Sequence, residues 1–571
     1  MYNRLQMTLQ KLHTHILSLA QREVAAPTDT SKALLTFSGD SAFGDVTTNI
    51  AMILAGQAKV APRALAERIA HAIEAETPEV ARVEVAGPGF LNIWLQDAVV
   101  SSLARAATTV TIDEYARQKV LVEYSDPNPF KPLHAGHLYT TLVGDMLARL
   151  VDRGGADIVR LNYGGDVGLH VARSMWAMVK FCDGERPEAL EGIPVDDRPA
   201  WLGNLYVEGT AAYEDDPEAR MQIIAMNKRV YEIQSSGDKT SPLAQMYWTC
   251  RSWSYEYFAV LYKQLEVAPF DRFIPESEVT PLGVQTVREQ QKAGVYEESE
   301  GAVIFDGERV GLHKRVFINS AGLPTYEAKD VGLLLTKWRD YKFDRSIVIT
   351  AREQEEYMRV MLASVREYAS EPANKSEHLV HGAVKLQGGV KMSSRRGNVV
   401  MALDILTAAR EAAKASGLGA REESVLAAVK YSFAKIRIGG DIIYDPTESV
   451  ALEGNSGPYL QYAHARARSI LAKVGGTPHL SATSDFEPAE RVLALKVAEY
   501  DVVLRAAVRE LMPHQICTYL YEVAQVFNRF YEGNRVAGSD RESLRAGLVS
   551  SYAAVLKDGL GMLGIAAPER L

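Results

Sequence analysis

Two short segments carry the residue types that can work on a polyphosphate. The first runs Glu123-Tyr124-Ser125-Asp126-Pro127-Asn128-Pro129-Phe130-Lys131-Pro132-Leu133-His134-Ala135-Gly136-His137. It sets two imidazoles three positions apart at the start of a helical pattern, directly after an apolar run and a proline-rich loop. A helix N-terminus offers free backbone N–H groups and the positive end of a dipole, so such a loop turns amide donors toward a phosphate. His134 and His137 could donate to an α-phosphate as charge builds on it. Gly136 leaves room for adenine to lie against the backbone. The same pair could instead be structural, or half of a metal site, because short motifs recur by accident.

The second segment is Gly388-Gly389-Val390-Lys391-Met392-Ser393-Ser394-Arg395-Arg396-Gly397-Asn398. Its glycines make a loop, 388–398, whose cations could close over ATP and stabilise charge on a leaving pyrophosphate. Alone it reads as a solvated basic turn. Strand, loop and helix around the first segment, with the basic loop following later in the chain, make the nucleotide reading the stronger one.

Other elements must bring the two segments together. Residues 119–124 form an apolar run suited to a buried parallel strand. Prolines at 127, 129 and 132 bar a helix over 125–133. Helical periodicity follows over 137–150 and a second strand over 158–162, which implies a right-handed parallel crossover. Residues 183–275, mostly helical and rich in Tyr and Trp, read as an insertion between two halves of the sheet. Strand patterns return at 302–305 and 346–350, with a helix at 328–339. From about residue 409 the pattern is long helices. Upstream, 1–22 and 46–70 are helical in pattern, 83–85 and 90–95 alternate as strands around Gly87-Pro88-Gly89, and a helical linker spans 97–115. The expected class is therefore α/β. A Rossmann-type parallel-sheet catalytic domain (116–408) with a helical insertion (about 183–275) lies between a small α/β N-terminal domain (1–97) and an all-α C-terminal helical bundle (409–571).

The two segments resemble a known pair. HAGH at 134–137 followed by KMSS at 391–394 is similar to the signatures of class I aminoacyl-tRNA synthetases. Ser125-Asp126-Pro127-Asn128 with Lys131, Pro132 and His134 resembles the arginyl enzymes among them. Asn162-Tyr163-Gly164-Gly165-Asp166-Val167-Gly168 resembles that family's NHVGDWG loop, with departures at Tyr163 and Val167. Thr325-Tyr326-Glu327-Ala328-Lys329-Asp330 resembles its TYxxRD segment, with Lys329 for the usual Arg. Gln354 falls at a family glutamine. Phe43-Gly44-Asp45-Val46 and Gly87 to Asn92 look like its extra N-terminal domain, and Glu453 to Arg466 like the opening of its helical anticodon-binding domain.

The resemblance implies an enzyme that joins L-arginine to tRNA(Arg) with ATP through an arginyl-adenylate. Lys131, His134, His137 and Lys391 would be catalytic, and Gly136, Met392, Ser393 and Ser394 would complete the ATP site. Glu123, Ser125, Asn128, Tyr326, Asp330 and Gln354 would form the arginine site. Asp330 and Tyr326 would take the side chain, while Glu123, Asn128 and Gln354 would hold the amino and carboxylate ends. Unaided by a family match, Asp330 could be an ordinary helix charge and Tyr326 a core aromatic. A guanidinium presents five donors in a rigid fork. Polar groups left unpaired by a wrong amino acid could discriminate by about 10⁴–10⁵, so no editing domain is expected. Ser394 stands where the common KMSKS loop has a second lysine, and Lys131 is expected to substitute. The resemblance also implies that activation requires bound tRNA. Mg²⁺ is expected with ATP, held by phosphates and water, with no protein-bound metal. Tyr459, Tyr462 and Arg466, with His464 and Arg468, would meet anticodon bases, although Tyr459 and Tyr462 at helical spacing could also be core. The N-terminal domain would touch the tRNA elbow.

Composition fits this frame. The chain has 571 residues, 47% hydrophobic and 24% charged, with a formal net charge of −9. That argues against global disorder and against a small basic DNA-binding module. Three separated cysteines, Cys182, Cys250 and Cys517, form no zinc motif. This also weighs against a cysteinyl enzyme with a zinc-bound pocket. A small HxGH nucleotidyltransferase would not need the long helical C-terminus. A tRNA-binding paralogue with a dead site would have no need of HAGH, Lys131 and KMSS together. The first residues lack a signal-peptide core and no apolar run is long enough to span a membrane. A cytoplasmic monomer without membrane contact is expected.

Overall fold

Five parallel strands form the central sheet, in the spatial order Ser376–His381, Arg345–Ala351, Lys119–Glu123, Asp157–Gly164, Arg272–Pro275. The computed structural model describes residues 8–24, 29–39, 41–109, 111–131, 133–387, 400–417, 421–476, 478–481 and 485–571. Val120, Leu121 and Val122 are fully buried, as expected of a strand covered by helices on both faces. The chain leaves Lys119–Glu123 through the helix Ala135–Arg153 and pairs in parallel at Asp157–Gly164, so the expected crossover holds. It then proceeds outward to Arg272–Pro275 and returns on the opposite side at Arg345–Ala351. The strand order thus reverses beside Lys119–Glu123, and in such sheets ligands bind at the carboxyl ends of the strands flanking that point.

Several elements differ from their sequence reading. Residues 46–48 are not helical: Val46–Thr48 is a strand between Leu35–Phe37 and Phe90–Leu95, as its β-branched residues favour. The helices Ile50–Ala58 and Pro62–Glu76 follow it. Among the described residues the linker is helical only over Asp97–Ala106. The strand Ala302–Phe305 belongs to a separate antiparallel sheet with Glu297–Ser299 and Arg315–Ile318. The helical stretch read as 183–275 ends before the sheet strand Arg272–Pro275. Its core also recruits Val171, Met175 and Met178 of the preceding helix Leu169–Phe181. Beyond residue 409, the strand Ile442–Tyr444 interrupts the helices to pair with Val384–Leu386.

The N-terminal module and the C-terminal helices touch directly. Arg491, on the helix Pro488–Ala498, reaches Asp45 Oδ2 at 2.6 Å and the Leu95 carbonyl at 2.7 Å, and also binds Asp97. The C-terminal tail folds back onto the bundle. Lys430 donates to the Gly564 carbonyl at 2.5 Å and Gln461 to that of Ala566 at 3.0 Å.

Candidate active site

The loop after Lys119–Glu123 ends at His134, which caps the helix Ala135–Arg153. The Gly136 N–H donates to His134 Nδ1 at 3.1 Å, and the His134 N–H donates to His137 Nδ1 at 3.2 Å. Each Nδ1 is therefore an acceptor, so a neutral ring carries its proton on Nε2. Burial, reinforced by the Lys131 charge, pushes His134 down to about 4. Burial and then the neighbouring His134 hold His137 well below the usual imidazole range. At neutral pH both rings are uncharged donors through Nε2, with centroids 3.8 Å apart. A Cβ on Gly136 would stand 2.9 Å from His134 Cε1 and Nδ1. This glycine thus lets the His134 ring fold back over its own helix, a reason for it beyond space for adenine.

Val400 to Ala402 runs against this turn. Ala135 donates to the Val400 carbonyl at 2.8 Å, and Ala402 donates to that of Leu133 at 3.0 Å. Beside the turn opens a cavity of about 950 Å³ whose lining includes Lys131, His134, Gly136, Gln354, Val384 and Met401. Lys131 Nζ lies 5.4 Å from the Tyr206 ring centroid. Lys391, Met392, Ser393 and Ser394 lie outside the described residues.

A second cavity, of about 390 Å³, adjoins the first and shares Lys131, His134, Gly136, Ala351, Gln354 and His381 with it. Its lining also includes Glu123, Ser125, Asp126, Asn128 and Asp330, with Tyr326, which is 55% exposed, at its edge. The structure thus gathers around two contiguous cavities every expected ATP- and arginine-site residue that it describes. Ser125 is less available than expected, because its hydroxyl is engaged by those of Thr141 at 2.7 Å and Tyr262 at 2.8 Å. Asn128 Oδ1 accepts from the Gly165 N–H at 3.0 Å.

Four carboxylates line the second cavity: Glu123, Asp126, Glu276 and Asp330. Two are neutralised within the protein, Glu123 by Lys337 at 2.8 Å and Glu276 by Lys329 at 2.7 Å, both pairs almost fully buried. Asp330 accepts from the Tyr357 hydroxyl at 2.8 Å. Burial raises its carboxyl to about 7; the Tyr357 hydrogen bond opposes this, and Glu123 and Glu276 add to it. Asp126 Oδ1 accepts from the Tyr163 N–H at 2.8 Å. Its carboxyl is also raised well above the ordinary range, by burial first and then by Glu123. Among the described residues neither Asp126 nor Asp330 forms an ion pair.

Sequence reading missed Glu276, Lys329, Lys337 and Tyr357 as parts of this electrostatic frame, and His381, which lines both cavities. His381 Nδ1 donates to the Gly382 carbonyl at 2.8 Å, and its ring lies 4.4 Å from Tyr139. No spacing rule points to Glu276, Lys329, Lys337 or Tyr357, since their partners are remote in sequence. Among the described residues no group of three His, Cys, Asp or Glu could hold a metal, and no helix is long and apolar enough to cross a membrane.

Tyr459, Tyr462 and Arg466 lie apart from these cavities, on the helix Gly457–Val474. Tyr459 is half-buried, with its hydroxyl accepting from Asn528 at 3.0 Å. Tyr462 is exposed. The Arg466 guanidinium stands 4.7 Å over the Tyr531 ring. His464 is not a surface residue: it is buried, with Nδ1 against the Pro568 carbonyl at 2.8 Å. Arg468 is paired with Glu569.

Known proteins resemble this chain along nearly its whole length. Residues 99–438 match the family model described as tRNA synthetases class I (R), catalytic domain. Residues 460–571 match the DALR anticodon binding domain, and 6–95 the arginyl tRNA synthetase N terminal domain. An arginine--tRNA ligase of Frankia casuarinae is 31% identical, over 93% of this chain and 94% of the relative. One of Bacteroides fragilis is 29% identical, over 90% and 91%. Among solved structures, the Thermus thermophilus arginyl-tRNA synthetase superposes with a TM-score of 0.79 at 24% identity, covering 99% of this chain and all of that one. The Plasmodium falciparum enzyme superposes at 0.78 and 19% identity, over 98% and 99%. These structural likenesses establish the fold. With a family model covering more than half its length and a relative above 30% identity along nearly all of it, the chain belongs to the arginyl class I tRNA synthetases.

Proposed function

We propose that this chain activates L-arginine with ATP and transfers the arginyl group to tRNA(Arg), releasing pyrophosphate and then AMP. One observation carries the reading. A continuous cavity system has Lys131 and His134 where its two parts meet, and its inner part holds His137 and Asp330, a buried carboxylate without a cationic partner among the described residues.

In this reading ATP lies with its α-phosphate at His134 and His137. The arginine carboxylate attacks that phosphorus in line, forming a mixed anhydride and breaking the bond to pyrophosphate. His134 and His137 donate through Nε2 to the charge that develops on the phosphate oxygens. Lys131 faces the triphosphate in place of the second lysine of a KMSKS loop, and Lys391 joins from the loop 388–398. Mg²⁺ arrives with the phosphates of ATP. Tyr326 and Asp330 receive the guanidinium, with Glu123, Ser125, Asn128 and Gln354 shaping the pocket around the rest of the amino acid. A terminal ribose hydroxyl of the tRNA then attacks the adenylate carbonyl, and AMP leaves. Side chains do little covalent work, so the rate rests on positioning and charge stabilisation.

The helix Gly457–Val474 presents Tyr462 for base stacking, with Tyr459 and Arg466 behind it, and the N-terminal module meets the tRNA elbow. The enzyme works as a monomer in the cytoplasm, where its three substrates meet. Charging assays with each amino acid and purified tRNAs test the reading. Arginine and tRNA(Arg) alone should yield aminoacyl-tRNA; charging with cysteine, or with nothing, would overturn it.

A further inference from the structure

Four carboxylates line the inner cavity, and the protein itself neutralises only Glu123 and Glu276. Arginine brings two cationic groups, a guanidinium and an α-ammonium. The two carboxylates left without an ion pair among the described residues, Asp126 and Asp330, therefore match the charge of the substrate proposed above. They stand on different elements. Asp330 belongs to the helix Tyr326–Tyr341, whereas Asp126 belongs to the loop that also carries Lys131 and His134.

We propose that Asp126 is the group that receives the α-ammonium of bound arginine. The ammonium and the reacting carboxylate hang from one carbon. That carboxylate must lie at the imidazoles to reach the α-phosphate, so the ammonium falls beside the same loop. Glu123 was expected to serve this end, but Lys337 already occupies its Oε2 at 2.8 Å. Asp126 is held differently. The Tyr163 N–H fixes Oδ1 at 2.8 Å, and no donor among the described residues engages Oδ2. The backbone is strained to aim it: φ is +76° at Ser125 and +48° at Asp126, a left-handed region that non-glycine residues rarely adopt. With two successive residues in that conformation, the Asp126 carboxylate rests one oxygen on the sheet strand Asp157–Gly164 and lines the cavity.

The inference rests on the arginine reading, and its test separates the two. The complete system of enzyme, ATP and tRNA(Arg) gives the KM for L-arginine and the inhibition constant for 5-guanidinopentanoate, which is arginine without its α-ammonium. Failure to charge arginine at all would reject the earlier reading before this comparison begins. Asp126→Asn keeps the acceptor for Tyr163 and removes the charge. It should raise the arginine KM about 10- to 100-fold, as loss of a charge-assisted hydrogen bond does, and leave the inhibitor constant within about threefold. Asp126→Glu should recover part of the loss. Equal losses for both ligands, as from a merely structural role or a guanidinium contact, would overturn the proposal, as would no change in either. Should Asp126→Asn not fold, the wild-type enzyme decides: it should prefer arginine over 5-guanidinopentanoate by about tenfold or more, and equal affinities refute the assignment.

Discussion

His134 and Met401 face each other as an antiparallel bridge, with backbone hydrogen bonds on both sides of the pair. The turn that aims the two imidazoles is thereby tied to the residues that emerge from the loop 388–398. In the proposed reaction the two ATP motifs share this backbone anchor, and the chemistry of the histidines depends on a glycine at the same place. Gly136→Ala would put a methyl carbon 2.9 Å from the His134 ring. The ring must turn away and release the Gly136 N–H. Alanine favours helix by up to about 1 kcal/mol, so thermal stability should change little while kcat for adenylate formation falls, by about 10- to 100-fold if the donor is half lost. Unchanged kcat would show that the ring position is not needed.

Lys131 lines both cavities beside His134 and depresses its pKa. Lys131→Ala should remove about 2–4 kcal/mol of transition-state stabilisation, as loss of a key charge-stabilising donor does. Single-turnover adenylate formation with tRNA present should slow accordingly, with a smaller effect on the arginine KM. A near-normal rate would remove Lys131 from the phosphate role.

Asp330, raised to about 7, must be ionised to hold a guanidinium. The arginine KM should therefore rise as pH falls below 7, by about tenfold between pH 8 and pH 6. The sign for stability is opposite. The folded-state pKa lies above the unfolded one near 3.8, so this group's stabilising contribution is complete below about pH 4 and is lost as pH rises through 7. Asp330→Asn keeps an acceptor for the Tyr357 hydroxyl, and should make the ligand-free protein more stable at pH 8 while abolishing arginine binding. A lower Tm for this variant at pH 8 would contradict the burial account.

Lys337 and Glu123 form a buried pair that lines the second cavity. Lys337→Met should cost about 3–5 kcal/mol in urea unfolding, because the Glu123 charge is stranded. Adding Glu123→Gln should restore much of that stability. If the single variant is as stable as wild type, the pair contributes no such constraint.

Tyr462 is the exposed one of the five residues expected to meet the anticodon. Tyr462→Ala should raise the tRNA KM roughly 5- to 100-fold, the worth of one stacked base, and leave the arginine KM unchanged. Tyr459→Phe loses only a hydrogen bond from Asn528 and should leave both constants near wild type.

What could be read from the sequence was local. The apolar run at 119–124, Pro127 and Pro129 after it and the HAGH turn each follow from nearest-neighbour rules, and the structure places them as those rules require. The electrostatic frame was not legible. Glu123 meets Lys337 and Glu276 meets Lys329 only after the sheet brings distant helices to one end, and neither pair has a spacing signature. The strand Ile442–Tyr444 escaped notice because three residues among helices carry no periodicity. His464 looked like a surface cation, but the returning tail covers it with the Pro568 carbonyl.

Arg491 joins the N-terminal module to the C-terminal helices through Asp45, Asp97 and the Leu95 carbonyl. In the proposed docking those two regions grip the tRNA at its elbow and at its anticodon. There Arg491, together with the Phe486 N–H that donates to Asp97 Oδ2 at 3.1 Å, would hold the two grips at a set spacing, as a brace holds two posts.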